Sequence, residues 1–417
     1  MKVRIETERA DLFDVSILIA MRVHISGKLA EDEIRAAFDK AVRAYEILGT
    51  RVCIERDGSA YYVRNDEISP ADFENNRIAF EDNSWKDIIL REEKKRFRID
   101  KGEFLKAFVY EMNADGCGIL FLMHHLGGDG KSLVYFIETF MKALSGEEPV
   151  FSEIRTIPAG NIKGKAALDR LGPAAVIPKV YNKRWNMDDK KKNFAFSDSD
   201  IAYKKYWKDR KSVITENVIP PEKVAMIKSK CKEWNIGFTA YITTAFLRRA
   251  GKKLDIGFAV DAREEENRCM GNQATGISIK YKYNNDKSFR ENALAVQELM
   301  DNKLEDPDDR NFILPFMASF EPSLVDAINL EHAGTFKSRT SNRLANILGY
   351  LKKTKDLSIT NLTRLDIPDV YGDLKVDYFS FIPPVISYGK NIIGFSTLGE
   401  CCVMTVHRVR EISRQAE

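Results

Sequence analysis

The chain carries two adjacent histidines and an aspartate in a glycine-rich stretch, His124-His125-Leu126-Gly127-Gly128-Asp129-Gly130. An imidazole has an ordinary pKa of about 6.5, so it is partly neutral at cellular pH and can accept a proton from a reacting group. Successive side chains on a strand point to opposite faces, so the two imidazoles cannot enter one pocket in the same way. The stretch therefore predicts one acting histidine and one bracing histidine.

The segments on either side of this motif predict a strand-to-helix corner. Residues 118–123 form a short, continuous apolar segment, which is typical of a strand buried on both faces. Asp129 occupies the position expected of a helix N-cap, with Ser132 three residues later. The apolar residues that follow recur at helical spacing and predict one buried stripe: Leu133, Phe136, Ile137, Phe140, Met141 and Leu144.

The motif resembles the His-His-x-x-x-Asp-Gly signature of the superfamily of condensation domains and chloramphenicol-acetyltransferase-like enzymes, which includes stand-alone alcohol acetyltransferases. Further segments resemble those of the family in the same order along the chain: Asp261-Ala262-Arg263 at the end of a strand, Met270-Gly271-Asn272 after it, and two later strands at 358–362 and 393–398. Two positions depart from the family pattern, because Thr360 replaces a serine and Thr363 a glycine.

The resemblance implies an α/β (α+β) fold class. Two chloramphenicol-acetyltransferase-like domains, each a mixed sheet flanked by helices, would pack in a V, with the active site in a tunnel at their interface. The predicted boundaries are 1–165 for the N-terminal domain, 166–214 for an exposed crossover linker and 215–417 for the C-terminal domain. The length of 417 residues and the apolar content of 44% are enough for two cores.

The resemblance also implies acyl transfer from a thioester to a hydroxyl or amine, without a covalent acyl-enzyme. His125 would be the general base and His124 structural, while Asp129 of the catalytic motif would form an ion pair with Arg263. Gly130 completes the signature, and Thr360 and Asn361 are candidates to hold the oxyanion. The expected co-substrate is coenzyme A or a carrier-protein phosphopantetheine thioester, with no tightly bound cofactor and no metal.

Each assignment has an alternative. The histidine pair can be a hydrogen-bonded core feature, or it can form a metal site with Asp129, although adjacent strand side chains diverge and no Cys or third His lies at ligand spacing. Asp129 can be only a cap and Arg263 only a solvated charge, and Thr360 and Asn361 can satisfy their own backbone. Ser132 lacks the setting of a nucleophile elbow and is not a nucleophile candidate. A catalytically silent fold that binds a carrier protein is the alternative function.

Composition limits the partners. The net charge of +3, from 65 basic and 62 acidic residues, does not favour a nucleic-acid partner. The longest apolar run, 15–21, is too short to span a bilayer. We expect a cytoplasmic protein, because no signal-peptide pattern is visible and the six cysteines are scattered. The basic and aromatic stretch 203–211 is a candidate contact for coenzyme A phosphates, an acidic carrier protein or single-stranded nucleic acid, with a solvated linker face as the alternative.

Local patterns predict the remaining elements. In the first half we expect strands at 15–26, 51–55, 60–63, 76–80 and 105–112, and helices at 31–45 and 85–97. The second half is predicted to contain helices at 220–234, 238–252 and 288–304. Its sheet would comprise strands at 256–261, 276–283, 358–362, 376–381, 392–397 and 403–407.

Overall fold

Two six-stranded sheets and one three-stranded sheet, with helices packed against them, form the framework of the computed structural model. The structure describes residues 2–65, 73–75, 83–113, 115–157, 165–263, 267–352, 354–387 and 389–412. The strand predicted at 76–80 lies outside these residues.

The first sheet holds the predicted motif strand near its centre. Its strands, numbered in chain order and given in sheet order, are β12 (Val370–Tyr371), β13 (Leu374–Ile382), β2 (Leu18–Ser26), β7 (Gly116–His124), β6 (Leu105–Asn113) and β5 (Phe73–Asn75). β7 is antiparallel to both β2 and β6, and Leu18 lies opposite His124. All nine residues of β7 are buried, as the continuous apolar sequence predicts.

The second sheet contains most of the predicted second-half strands. In sheet order these are β10 (Ala274–Tyr281), β9 (Leu254–Asp261), β11 (Leu357–Arg364), β14 (Ile392–Leu398), β15 (Cys401–Glu411) and β8 (Arg210–Ile219). The small sheet has the order β1 (Lys2–Arg4), β4 (Ala60–Arg64) and β3 (Thr50–Ile54), and the strands predicted at 51–55 and 60–63 are confirmed as an antiparallel pair.

The described helices are α1 (Glu31–Arg43), α2 (Trp85–Glu92), α3 (Gly130–Leu144), α4 (Lys165–Asp169), α5 (Val176–Asn186), α6 (Phe196–Trp207), α7 (Pro221–Trp234), α8 (Phe238–Ala250), α9 (Phe289–Glu305), α10 (Pro307–Asn311), α11 (Ile313–Ala318), α12 (Pro322–His332) and α13 (Arg339–Leu348). Short 3₁₀ helices include Thr7–Asp11 and His125–Gly127. Helices α1 and α3 cover one face of the first sheet, where Phe121 of β7 packs against Phe38, Phe136 and Phe140 at ring-centroid distances of 5.6–6.4 Å.

One strand belongs to a different sheet from the one expected. Residues 376–381 were predicted in the second sheet, but β13 pairs with β2 in the first, with Phe381 opposite Met21. The sequence indicates a buried strand and does not select its partner, because the apolar pattern is the same in either sheet. β13 also contacts the second sheet, where Thr405 Oγ1 donates to the Phe381 carbonyl at 2.5 Å. This strand therefore ties the two large sheets together.

The prediction of an exposed linker at 166–214 is wrong. Helices α5 and α6 bury Trp185 and Trp207, whose exposed fractions are 0% and 5%. The indole Nε1 of Trp185 donates to Ser323 Oγ at 2.9 Å, and that of Trp207 donates to the Val15 carbonyl at 2.8 Å. The aromatic residues lie at helical spacing on the inner face, whereas Lys204 and Lys205 are exposed. The aromatic rings of 203–211 are thus part of the core.

The complete burial of Trp185 predicts a large loss of stability for Trp185→Ala. Removing a fully buried indole from the core should lower the free energy of unfolding by about 3–5 kcal/mol. Met187, which is 77% exposed two residues later, supplies the matched control. Met187→Ala should change stability by less than about 0.5 kcal/mol. Denaturant unfolding of both variants checks this, and equal small effects would contradict the packing described.

Candidate functional site

The motif forms the predicted strand-to-helix corner. β7 ends at His124, residues His125–Gly127 make one 3₁₀ turn, and α3 begins at Gly130. Gly128 has a φ of +154°, and a Cβ there would lie 2.4 Å from Cβ of Ser132. The turn therefore requires glycine at this position for both conformation and space.

His124 points inward and fixes the turn. Its Nδ1 accepts a hydrogen bond from the Leu126 amide at 3.1 Å, and its ring packs edge-on against Phe97 at 6.0 Å. Burial lowers the pKa of His124 to about 3, with smaller contributions from the charges of His125 and Arg96. The imidazole is neutral at physiological pH, which suits a bracing role.

A small cavity borders His124 where the two large sheets meet. Its polar lining includes Ser16, Glu93, Ser212 and His407. His407 Nδ1 lies 2.7 Å from the Pro383 carbonyl, and burial lowers its pKa to about 4. Burial raises the pKa of Glu93 to about 7, although hydrogen bonds from Ser212 oppose that shift. Burial thus disfavours the charged forms of His124, His407 and Glu93 on this side of the motif.

His125 has a different environment. Its side chain is 14% exposed, and its Nδ1 is buried without a hydrogen-bond partner. The exposed part therefore belongs to the rest of the side chain, which includes Nε2. The nearest acidic group is the Asp11 carboxylate, whose Oδ2 lies 3.7 Å from His125 Nδ1.

Asp129 and Arg263 form the predicted ion pair. The guanidinium Nη1 donates to Oδ2 and Nη2 to Oδ1, both at 2.8 Å, with side-chain exposures of 3% and 6% for Arg263 and Asp129. Burial alone would raise the pKa of Asp129, but the charge and hydrogen bonds of Arg263 hold it below its usual value. Such a bidentate pair fixes orientation as well as distance.

Asp129 also accepts backbone hydrogen bonds from both sides of the site. The Ser132 amide donates to Oδ1 at 3.0 Å as a helix cap, and the Gln273 amide donates to Oδ2 at 2.9 Å. Ser132 Oγ donates to the Gly271 carbonyl at 2.9 Å. Both carboxylate oxygens of Asp129 are thus occupied by the guanidinium and by backbone amides, and Ser132 lies in the capping turn of α3.

We call the contact between the start of α3 and residues 261–263 and 267–273 the seam. Besides the Asp129–Arg263 pair, it contains an ion pair between Lys131 and Asp261 at 2.9 Å. Arg268 lies over the Tyr135 ring at 4.3 Å and pairs with Glu138. The seam therefore fixes the motif of the first sheet to residues that follow β9 and precede β10 in the second sheet.

The two candidate oxyanion residues lie on β11. Asn361 donates from Nδ2 to Thr239 Oγ1 of α8 at 2.9 Å. The next residue, Leu362, packs against Gly130 of the motif. A Cβ built at Gly130 would lie 3.1 Å from Leu362 Cδ2. Thr360 pairs in register with Gly394 of β14. An oxyanion role for Thr360 or Asn361 stays a prediction.

Two residues beside the motif were not identified as site residues from the sequence. Asp11 lies at the end of the first 3₁₀ helix, and Asn272, quoted only for its resemblance to the family, donates from Nδ2 to Asp11 Oδ2 at 2.8 Å. Nothing in the local sequence of Asp11 indicates chemistry, because only the tertiary fold brings it to His125.

In the described part of the chain, no group of three or more His, Cys, Asp or Glu side chains is arranged to hold a metal ion. Among the same residues, no helix is both long and apolar enough to cross a membrane.

The buried pair predicts a strong effect of Arg263→Met on stability. The variant leaves the Asp129 carboxylate buried without its counter-charge, which should cost about 3–5 kcal/mol. Adding Asp129→Asn removes the stranded charge while keeping a capping oxygen, so the double variant should recover part of the loss. Denaturant unfolding measures both variants. If Arg263→Met lowers the free energy of unfolding by less than about 1 kcal/mol, the value of an exposed pair, the structural importance of the buried ion pair is contradicted.

Comparison with known proteins supports the resemblance. Residues 14–155 match the family model described as the condensation domain. A search of curated proteins finds no match.

Solved structures extend the likeness to nearly the whole chain. The trichothecene 15-O-acetyltransferase of Fusarium sporotrichioides matches with a TM-score of 0.66 at 9% identity, covering 98% of this chain and 90% of that one. The first condensation domain of the calcium-dependent antibiotic synthetase, in complex with a substrate analogue, gives 0.62 at 12% identity, with 97% and 88% covered. The SgcC5 protein of Streptomyces globisporus gives 0.58 at 12% identity, with 97% and 92% covered. The chain therefore has the fold of the condensation domain and the acetyltransferase with which it is compared, and its residues 14–155 match the condensation-domain model.

Proposed function

We propose that this protein is an acyltransferase that moves an acyl group from a thioester to a hydroxyl or amine, with His125 as general base. The observation that carries the proposal is the contrast between the two histidines. His124 is buried and committed to the turn, whereas His125 is partly exposed and no described residue hydrogen-bonds to its ring nitrogens.

The reaction needs one proton acceptor beside the acceptor nucleophile. The oxygen or nitrogen of the acceptor bonds to the thioester carbonyl carbon, and His125 Nε2 takes the proton that the acceptor loses. The tetrahedral intermediate places negative charge on the former carbonyl oxygen, which Thr360 or Asn361 would stabilise by hydrogen bonding. The intermediate collapses with cleavage of the carbon–sulfur bond, and the imidazolium returns its proton to the departing thiolate. No covalent acyl-enzyme is formed.

Asp129 and Arg263 contribute by holding the corner, since their atoms are occupied by each other and by backbone amides. A misplacement of about 1 Å in a base is enough to lose a large part of its effect. We infer that the seam preserves the position of His125 relative to residues of the second sheet.

The donor is proposed to be a coenzyme A thioester or the phosphopantetheine thioester of a carrier protein. Both present the same acyl–sulfur bond to the base, so the chemistry at His125 does not distinguish them. A panel of acyl-coenzyme A and acyl-carrier-protein donors, each with alcohol and amine acceptors, identifies the donor through the rate of thiol release.

His125→Ala should reduce kcat/KM for thiol release by about 10²- to 10⁴-fold, the usual contribution of a general base. His24 provides a matched control, because it is a partly exposed histidine of β2 paired with Asp377. His24→Ala should stay within about twofold of the parent, since it removes an imidazole away from the corner. Retained turnover in His125→Ala would exclude the base, and a parent protein inactive with every donor would instead favour the silent carrier-binding fold.

A further inference from the structure

Asp11 is far from the motif in the sequence but lies beside His125 in the fold. It ends the 3₁₀ helix Thr7–Asp11, and its Oδ2 lies 3.7 Å from His125 Nδ1, slightly beyond hydrogen-bond distance. His125 Nδ1 is buried and unpartnered, which is costly for a polar atom. A small movement of either side chain would satisfy it, and hydrogen bonds between catalytic groups are often long before substrate binds.

The Asp11 carboxylate is held from a third element. Asn272 Nδ2 donates to the same Oδ2 at 2.8 Å, while Asn272 Oδ1 accepts from the Ala274 amide at 3.2 Å. Asn272 belongs to the seam, so the carboxylate is oriented by the second sheet as well as by its own helix. One carboxylate oxygen has two lone pairs and can accept from both Asn272 and His125.

The surroundings keep both partners in place. The guanidinium of Arg9, two residues before Asp11, forms a buried pair with Asp326 of α12, which anchors the 3₁₀ helix. On the other side, Tyr62 Oη donates to the Leu126 carbonyl at 2.9 Å, which anchors the turn that carries His125. The approach of Asp11 to His125 is therefore set by two separately fixed backbone segments.

We infer that Asp11 is a positioning residue for His125, accepting a hydrogen bond from Nδ1–H so that Nε2 is left unprotonated and directed at the substrate. The inference rests on the proposed function, because it assigns the tautomer that the base requires. The carboxylate would also stabilise the imidazolium formed when Nε2 takes the proton of the acceptor.

The electrostatic environment of Asp11 includes other acids. Burial raises the pKa of Asp11, and the Asp14 charge acts in the same direction, whereas His125 and the Asn272 amide lower it. Glu8 on the same 3₁₀ helix is buried too, and burial raises its pKa to about 7. The phenol of Tyr62 also faces these two carboxylates and has a pKa raised well above its usual value, chiefly by burial. When the His125 imidazole is protonated, its positive charge favours the ionised form of the Asp11 carboxylate.

The activity test compares Asp11→Asn with Glu8→Gln, which removes a carboxylate from the same helix. Asp11→Asn should reduce kcat/KM by about 10- to 100-fold, a part of the full effect of the base. Loss of the negative charge also disfavours the imidazolium, so the acidic limb of the kcat/KM profile should move to lower pH. Glu8→Gln should move the limb much less than Asp11→Asn, because Glu8 does not contact His125. An unmoved limb in Asp11→Asn, or an equal movement in both variants, would overturn the inference.

A second measurement separates this inference from the proposed function. The chain has only five histidines, so ¹⁵N-histidine NMR can assign His125 by comparison with His125→Ala. We expect the Nδ1–H tautomer in the parent and a mixture of tautomers, with protonation shifted to lower pH, in Asp11→Asn. Unchanged His125 signals in that variant would overturn the positioning role. A changed tautomer in a protein that turns over no thioester would keep the role of Asp11 and reject the acyltransferase.

Discussion

The buried pair between Asp129 and Arg263 is the interaction on which the site depends. It joins the first turn of α3 to the end of β9, and the Gln273 amide completes the shell around the carboxylate. A pair that is more than nine-tenths buried is poorly screened by salt and is tolerated only when its partners remain satisfied. The corner that carries His125 therefore keeps its shape only while the contacts of the seam are intact.

The two histidines show how neighbouring residues of the same type acquire different properties. Alternation along β7 directs His124 into the interior, where burial keeps it neutral and Leu126 occupies its Nδ1. One residue later the chain has entered the 3₁₀ turn, and His125 retains an exposed portion of its side chain beside Asp11. The difference arises from the change of backbone direction at the end of β7, which buries His124 and leaves His125 partly exposed.

Much of this arrangement could be predicted from the sequence. The strand, the corner and the helix follow from apolar spacing and from the cap at Asp129, and the ion pair with Arg263 follows from a resemblance over ordered motifs. The sheet that β13 joins could not be predicted, because burial alternation does not name a neighbouring strand. The burial of Trp185 and Trp207 was detectable in helical aromatic spacing, but the nearby lysines favoured a solvated linker. Asp11 could not be recognised, since its contact with His125 arises only when distant segments pack.

The proposed reaction depends on the transfer of a proton from the acceptor nucleophile to His125 Nε2. A crystal structure of the protein with a non-cleavable ketone analogue of an acyl thioester and an alcohol or amine acceptor tests it most directly. We expect the acceptor oxygen or nitrogen to lie within about 2.6–3.2 Å of Nε2 and in line with the ketone carbon. A complex in which the analogue binds away from His125, or in which another side chain holds the acceptor proton, would contradict it.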